Sequence, residues 1–173
     1  TTTGRLVRID PSTGEATDTI PIGNEPNAVA AGPTGVWVAN RGDGTVWRID
    51  PSTNRVLLRA SAHGKPTELT VTATRAIVVN GPQDANVTVI DGATGREENV
   101  ISLASGGFFQ GSAPVGADGS QVWLAGADRR VGRLDLLTAH LEKPVFIAPP
   151  ADEGSDAYFS SVAVAGDDVW VIG

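Results

Sequence analysis

The sequence predicts an all-β fold made of four-stranded antiparallel units repeated along the chain, and three observations predict it. A short phrase recurs as Arg8-Ile9-Asp10-Pro11-Ser12-Thr13-Gly14 and Arg48-Ile49-Asp50-Pro51-Ser52-Thr53-Asn54. It returns in weaker form as Val89-Ile90-Asp91-Gly92-Ala93-Thr94-Gly95 and Arg133-Leu134-Asp135-Leu136-Leu137-Thr138-Ala139. Its aspartates stand at 10, 50, 91 and 135, so the step is 40, 41 and then 44 residues. Between the phrases, short apolar runs alternate with turn-forming Gly, Pro, Asn and Asp. Large apolar residues also fall into columns: Trp37, Ile77, Trp123 and Trp170 in one, Ile9, Ile49, Ile90 and Leu134 in another. Strand-and-turn units of roughly 40–50 residues packed side by side are the pattern of β-propeller blades.

Residues 5–26 hold only the third and fourth strands of such a blade. Three full blades follow at 27–66, 67–114 and 115–160, and residues 161–173 hold a first and second strand. The chain therefore carries about four blade-equivalents, and its two half-blades are complementary. The ring either closes on this chain alone or forms part of a larger or strand-exchanged ring, with a second copy or a complementary chain supplying the rest.

The second copy shows the grammar most clearly. Asn27-Ala28-Val29-Ala30-Ala31 is short and small, as suits an innermost strand near a crowded axis. Val36-Trp37-Val38-Ala39-Asn40 is the second strand, Thr45-Val46-Trp47-Arg48-Ile49-Asp50 the third and Arg55-Val56-Leu57-Leu58-Arg59-Ala60 the fourth. The second strand lacks strict polar alternation, which is expected of a sheet packed on both faces. In the turn after Asp50, Pro51 pre-sets φ, and Asn54 takes the left-handed slot that Gly14 and Gly95 occupy elsewhere. Asp43-Gly44 supplies a tight hairpin between the second and third strands. The tryptophan column reads as a packing layer. Arg8, Arg48 and Arg133 each precede an aspartate by two and share its strand face, so they read as structural ion pairs of small value.

Composition bounds the function. The chain has 173 residues, 40% hydrophobic and 19% charged, which is globular composition. A net charge of −7 argues against nucleic acid as a partner, because phosphates reward a basic surface. No apolar run approaches the roughly 20 residues that span a bilayer. Cysteine is absent, which removes disulfides, thiolate nucleophiles and cysteine metal sites. Methionine is absent too, initiator included, so a processed or excised piece of a longer product is expected. Eleven arginines against two lysines, Lys65 and Lys143, fit the codon bias of a high-GC bacterium.

The Val-Trp-Val-Ala-Asn…Arg-Ile-Asp-Pro-Ser-Thr-Asn unit resembles the YVTN/NHL-type propeller repeats of such bacteria, most closely over residues 5–60. The resemblance implies an extracytoplasmic module that senses or binds rather than catalyses. Lyases and lactonases are distant relatives, so an enzyme is the competing reading.

Strand order predicts where a site forms. Connections between blades share a face with the hairpins joining second and third strands. That face gathers Arg41, Gly42 and Asp43; Gln83, Asp84 and Asn86; and Asp128, Arg129 and Arg130. It also gathers the Ala62-His63-Gly64-Lys65 connection and two long loops, 104–114 with Phe108, Phe109 and Gln110, and 148–160 with Asp156 and Tyr158. Loops beyond the connecting minimum are disproportionately functional, and aromatic side chains suit a binding surface. The candidate ligand-binding residues are therefore Arg41, Asp43, Asp84, Phe108, Phe109, Gln110, Arg129, Asp156 and Tyr158, taking a protein or small-molecule ligand.

No catalytic residue and no cofactor are assigned. His63 and His140 fall on opposite faces, too far apart for a relay, and His63 reads as a solvated loop residue. Ser12 and Ser52 lie in turns without a base. The enzyme reading would need a divalent cation such as Ca²⁺, with Asn40, Asn80, Asp43, Asp84 and Asp128 as its oxygen ligands. Arg41-Gly42-Asp43 and the sequon Asn86-Val87-Thr88 are explained by turn and strand chemistry.

Overall fold

The computed structural model describes residues 3–103, 115–126, 129–147, 159–165 and 168–172. Among them every regular element is a strand, and every strand pairing is antiparallel. Five sheets follow one another in chain order. The first pairs β1 (Thr3–Ile9) with β2 (Ala16–Asn24). The second is β3 (Pro26–Gly32), β4 (Gly35–Asn40), β5 (Thr45–Ile49) and β6 (Val56–Ser61), hydrogen-bonded in that order. The third repeats the order with β7 (Pro66–Val71), β8 (Arg75–Asn80), β9 (Asn86–Asp91) and β10 (Glu97–Ser102).

The fourth sheet holds β11 (Val115–Asp118), β12 (Gln121–Ala125), β13 (Arg130–Asp135), β14 (His140–Leu141) and β15 (Val145–Phe146). Its outer strand departs from the four-strand pattern and is broken in two. Leu141 pairs Leu134 and Phe146 pairs Arg130, with 142–144 between. Pro144 stands in the gap and has no N–H to donate to a ladder. The fifth sheet pairs β16 (Ser161–Ala165) with β17 (Asp168–Ile172).

The core is four apolar layers, one at each junction between consecutive sheets. Successive residues of a strand point to opposite faces, so an inner sheet must be apolar on both. In β4, Val38 packs toward Ile20 and Ile22 of the first sheet, while Trp37 and Ala39 pack toward Leu69 and Val78 of the third. In β8 the same division sends Ala76 and Val78 one way and Ile77 and Val79 the other. This is why the second strands lack polar alternation. The columns lose their cover toward the outer sheets: Trp37 is fully buried and Trp170 is 64% exposed; Ile49 is 1% exposed and Ile9 59%. The small first strand is also open, with Val29 at 59%.

The aspartate turns form as their chemistry requires. Asp50 Oδ1 accepts from the Ser52 N–H at 2.8 Å and from Ser52 Oγ at 2.7 Å, and Thr53 Oγ1 donates to Oδ2 at 2.9 Å. Asp10 binds Ser12 in the same way, and Asp91 accepts from the N–H and hydroxyl of Thr94. The left-handed slot is filled each time: φ is +73° at Gly14, +57° at Asn54, +71° at Gly95 and +53° at Ala139.

The expected arginine–aspartate pairs do not form. The aspartates are taken by their own turns, and the arginines reach across to the next sheet. Arg8 Nη1 donates to the Pro51 carbonyl at 2.9 Å, and Arg48 Nη1 donates to the carbonyls of Gly92 at 2.5 Å and Ala93 at 3.1 Å. Pro51 and Gly92 each follow the turn aspartate, so one latch is repeated at two junctions. Arg133 is held instead by Glu142 and by Gln121 Oε1. Gly92 shows why its position is not proline. Its N–H donates to the Thr74 carbonyl at 2.7 Å, and a Cβ there would lie 2.6 Å from Thr34 Cγ2.

Candidate functional site

The face expected to carry the site is built by hairpins and connections tied to each other. Tight turns place a positive φ at Gly44 (+63°), Ala85 (+42°) and Arg129 (+61°), each directly after an aspartate. Asp43 Oδ2 accepts the N–H of Asn24 at 2.6 Å, and Asp84 Oδ2 accepts the N–H of Lys65 at 2.7 Å. Both acceptors fasten the connection that enters a sheet to the hairpin of that same sheet. Further backbone bonds run from Arg41 N to Glu25 O, Ala62 N to Gly44 O and Gly81 N to Lys65 O, all at 2.8–2.9 Å. Gly23 and Gly64 permit this closeness, since a Cβ would lie 2.5 Å from the Asp43 carboxylate or 2.8 Å from that of Asp84.

Of the residues singled out from sequence, Arg41, Asp43 and Asp84 thus lie on one tied surface, with the 61–65 connection between their hairpins. Arg41 and Asp43 are exposed. Each aspartate spends one oxygen on the fold. Arg129 is buried, at 9%. Phe108, Phe109, Gln110, Asp128, Asp156 and Tyr158 lie outside the described residues.

Asn40 and Asn80, offered as oxygen ligands, are wholly buried. Asn80 Nδ2 donates to the Ala62 carbonyl at 2.6 Å and to Asn86 Oδ1 at 2.7 Å, while Thr88 Oγ1 donates to the same carbonyl at 2.6 Å. These side chains lock the third sheet to the connection before it. Among the described residues no group of three or more His, Asp or Glu gathers as a metal-binding set. His63 is exposed on its connection as expected, with φ at +54°, and its Nε2 also pairs with the Glu97 carboxylate of β10. Glu97 was not visible as a partner, because it lies 34 positions on and in no repeating column. The connection contacts had a sequence signal in the Gly23–Gly64 step of 41 residues, equal to the step from Asp43 to Asp84.

The aspartate turns carry the clearest electrostatic signature. Hydrogen bonds from Ser52 hold the Asp50 carboxyl down at about 2, from an ordinary 3.8. Asp10 is lowered by Ser12, Asp91 by Thr94 and Asp135 by the N–H groups of Thr138 and Leu137.

No family model and no curated protein matches the chain. Solved structures do: 838 chains match. The hydrazine synthase of Kuenenia stuttgartiensis is similar with a TM-score of 0.71 at 16% identity, over 83% of this chain. The chain spans 43% of that one, and the likeness is one of fold.

Proposed function

We propose that the chain is a segment of a β-propeller, each four-stranded sheet a blade, that binds a protein or small-molecule ligand without catalysis. The ligand surface is the face of the tied hairpins and connections, extended by the 104–114 and 148–160 segments. The observation that carries this reading is the fastening of adjacent connections to hairpins through Asp43 and Asp84. A surface already fixed loses little conformational freedom when it binds. Exposed Arg41 supplies a charged anchor, and Phe108, Phe109 and Tyr158 supply aromatic ones. The resemblance to YVTN/NHL-type repeats supports an extracytoplasmic bacterial setting.

Peptide selection against the immobilised chain tests the proposal. Selected peptides should lose affinity roughly tenfold or more, about 1.4 kcal/mol, on Arg41→Ala or on combined Phe108→Ala, Phe109→Ala and Tyr158→Ala. Arg55→Ala, beside the aspartate turns, should leave affinity unchanged. Peptides that respond only to Arg55, or a selection that returns no binder, would remove the reading.

A further inference from the structure

Asn80 and Gly81, at the end of β8, form the only Asn-Gly step in the sequence. An asparagine followed by glycine is the pairing most open to cyclisation, because glycine carries no Cβ to keep its nitrogen from the neighbouring side-chain carbonyl. The fold holds both reacting groups. Gly81 N donates to the Lys65 carbonyl at 2.8 Å, and the Gly81 carbonyl accepts from Asp84 N at 2.9 Å and Ala85 N at 2.8 Å. Asn80 is 0% exposed, and its Nδ2 donates to the Ala62 carbonyl at 2.6 Å and to Asn86 Oδ1 at 2.7 Å. Two of these anchors, the carbonyls of Ala62 and Lys65, belong to the 61–65 connection. Asn40 ends β4 as Asn80 ends β8 and is buried as deeply, but it is followed by Arg41.

We propose that Asn80 is a latent deamidation site, closed by the 61–65 connection and opened when that connection lifts. Lifting frees Gly81 N to attack Asn80 Cγ. The N–Cγ bond forms, the Cγ–Nδ2 bond breaks, and ammonia leaves with the proton from Gly81. Water then opens the five-membered imide at either carbonyl, giving aspartate or isoaspartate at position 80. No other reactant is needed.

The change is one-way because the product does not fit the site. Asn80 Nδ2 is a donor set between acceptors, and an oxygen in its place faces the Ala62 carbonyl and Asn86 Oδ1 while buried. Asn86 cannot turn its amide to compensate without giving up the bonds from its Nδ2 to the carbonyls of His63 at 3.1 Å and Asp84 at 3.3 Å. Isoaspartate also adds a methylene to the main chain between β8 and the hairpin that follows. Either product removes a fastening from the 61–65 connection, so the chain keeps a permanent mark of having opened there.

The test follows the folded chain and the chain in urea at one pH and temperature, by peptide mass spectrometry with fragmentation to place the new acid. Asn80 should convert readily in urea. In the folded chain it should convert more slowly, by a factor that matches the hydrogen-exchange protection of the Gly81 amide within about threefold. Gly81→Ala should suppress conversion in urea, and the fold has room for it, since the added Cβ would lie 3.2 Å from Thr67 Cγ2. Thr88→Val removes the hydroxyl bond to the Ala62 carbonyl and should speed conversion of the folded chain roughly tenfold. Asn80→Asp, made directly, should lower the folded-to-unfolded ratio about tenfold or more, read from the urea midpoint. A folded chain that converts as fast as the unfolded one, conversion in urea centred on Asn40, no acceleration by Thr88→Val, or an Asn80→Asp chain as stable as wild type would each overturn the inference.

Discussion

Asp50 holds its proton weakly because a serine binds one carboxylate oxygen twice, through its N–H and its hydroxyl. The folded carboxyl sits near 2 and the unfolded one near 3.8. This turn's contribution to stability is therefore complete above pH 3.8 and is lost as pH falls through about 2. Asp50→Asn should flatten the fall of the urea midpoint over that window, compared with wild type. An unchanged slope would show that Asp50 contributes nothing there. The residue scale is also where the sequence was least legible. The turn chemistry of Asp-Pro-Ser-Thr could be read directly, because every partner lies within three positions. The partners of Arg8, Arg48 and His63 lie 43, 44 and 34 positions away, and only sheet stacking brings them near.

At the scale of the element, one column holds two kinds of tryptophan. Trp37 fills a closed layer between two sheets, while Trp170 lies over an open one. Trp37→Ala should cost about 3–5 kcal/mol in urea unfolding, the range for truncating a large buried aromatic. Trp170→Ala should stay within about 0.5 kcal/mol, as exposed positions do. Equal losses would contradict the division between inner and outer sheets. Strand positions were legible because both-face burial writes continuous apolar runs, and β4, β5 and β6 begin and end within about one residue of the expected limits. The broken outer strand of the fourth sheet was not, since β14 and β15 are two residues each and carry no periodicity.

Across the whole molecule, five sheets stack in series and each touches its chain neighbours through one layer. The repeat step made that series legible in sequence. The face proposed to bind was legible only as topology. Asp43 and Asp84 landed together as expected, but with one oxygen each already committed to the backbone. The arginine latches give the series a mechanical character. A guanidinium on one sheet holding a carbonyl on the next makes the first three sheets feel each other's melting, so they behave as a row of coupled switches. Cutting one link in the middle should uncouple the row. Arg48→Met, which keeps the apolar stem, should remove about 1.5–3 kcal/mol. It should also split amide exchange into two blocks, with residues 3–61 opening before residues 66–103. If both blocks still exchange together, the links carry no cooperativity and the apolar layers alone transmit it.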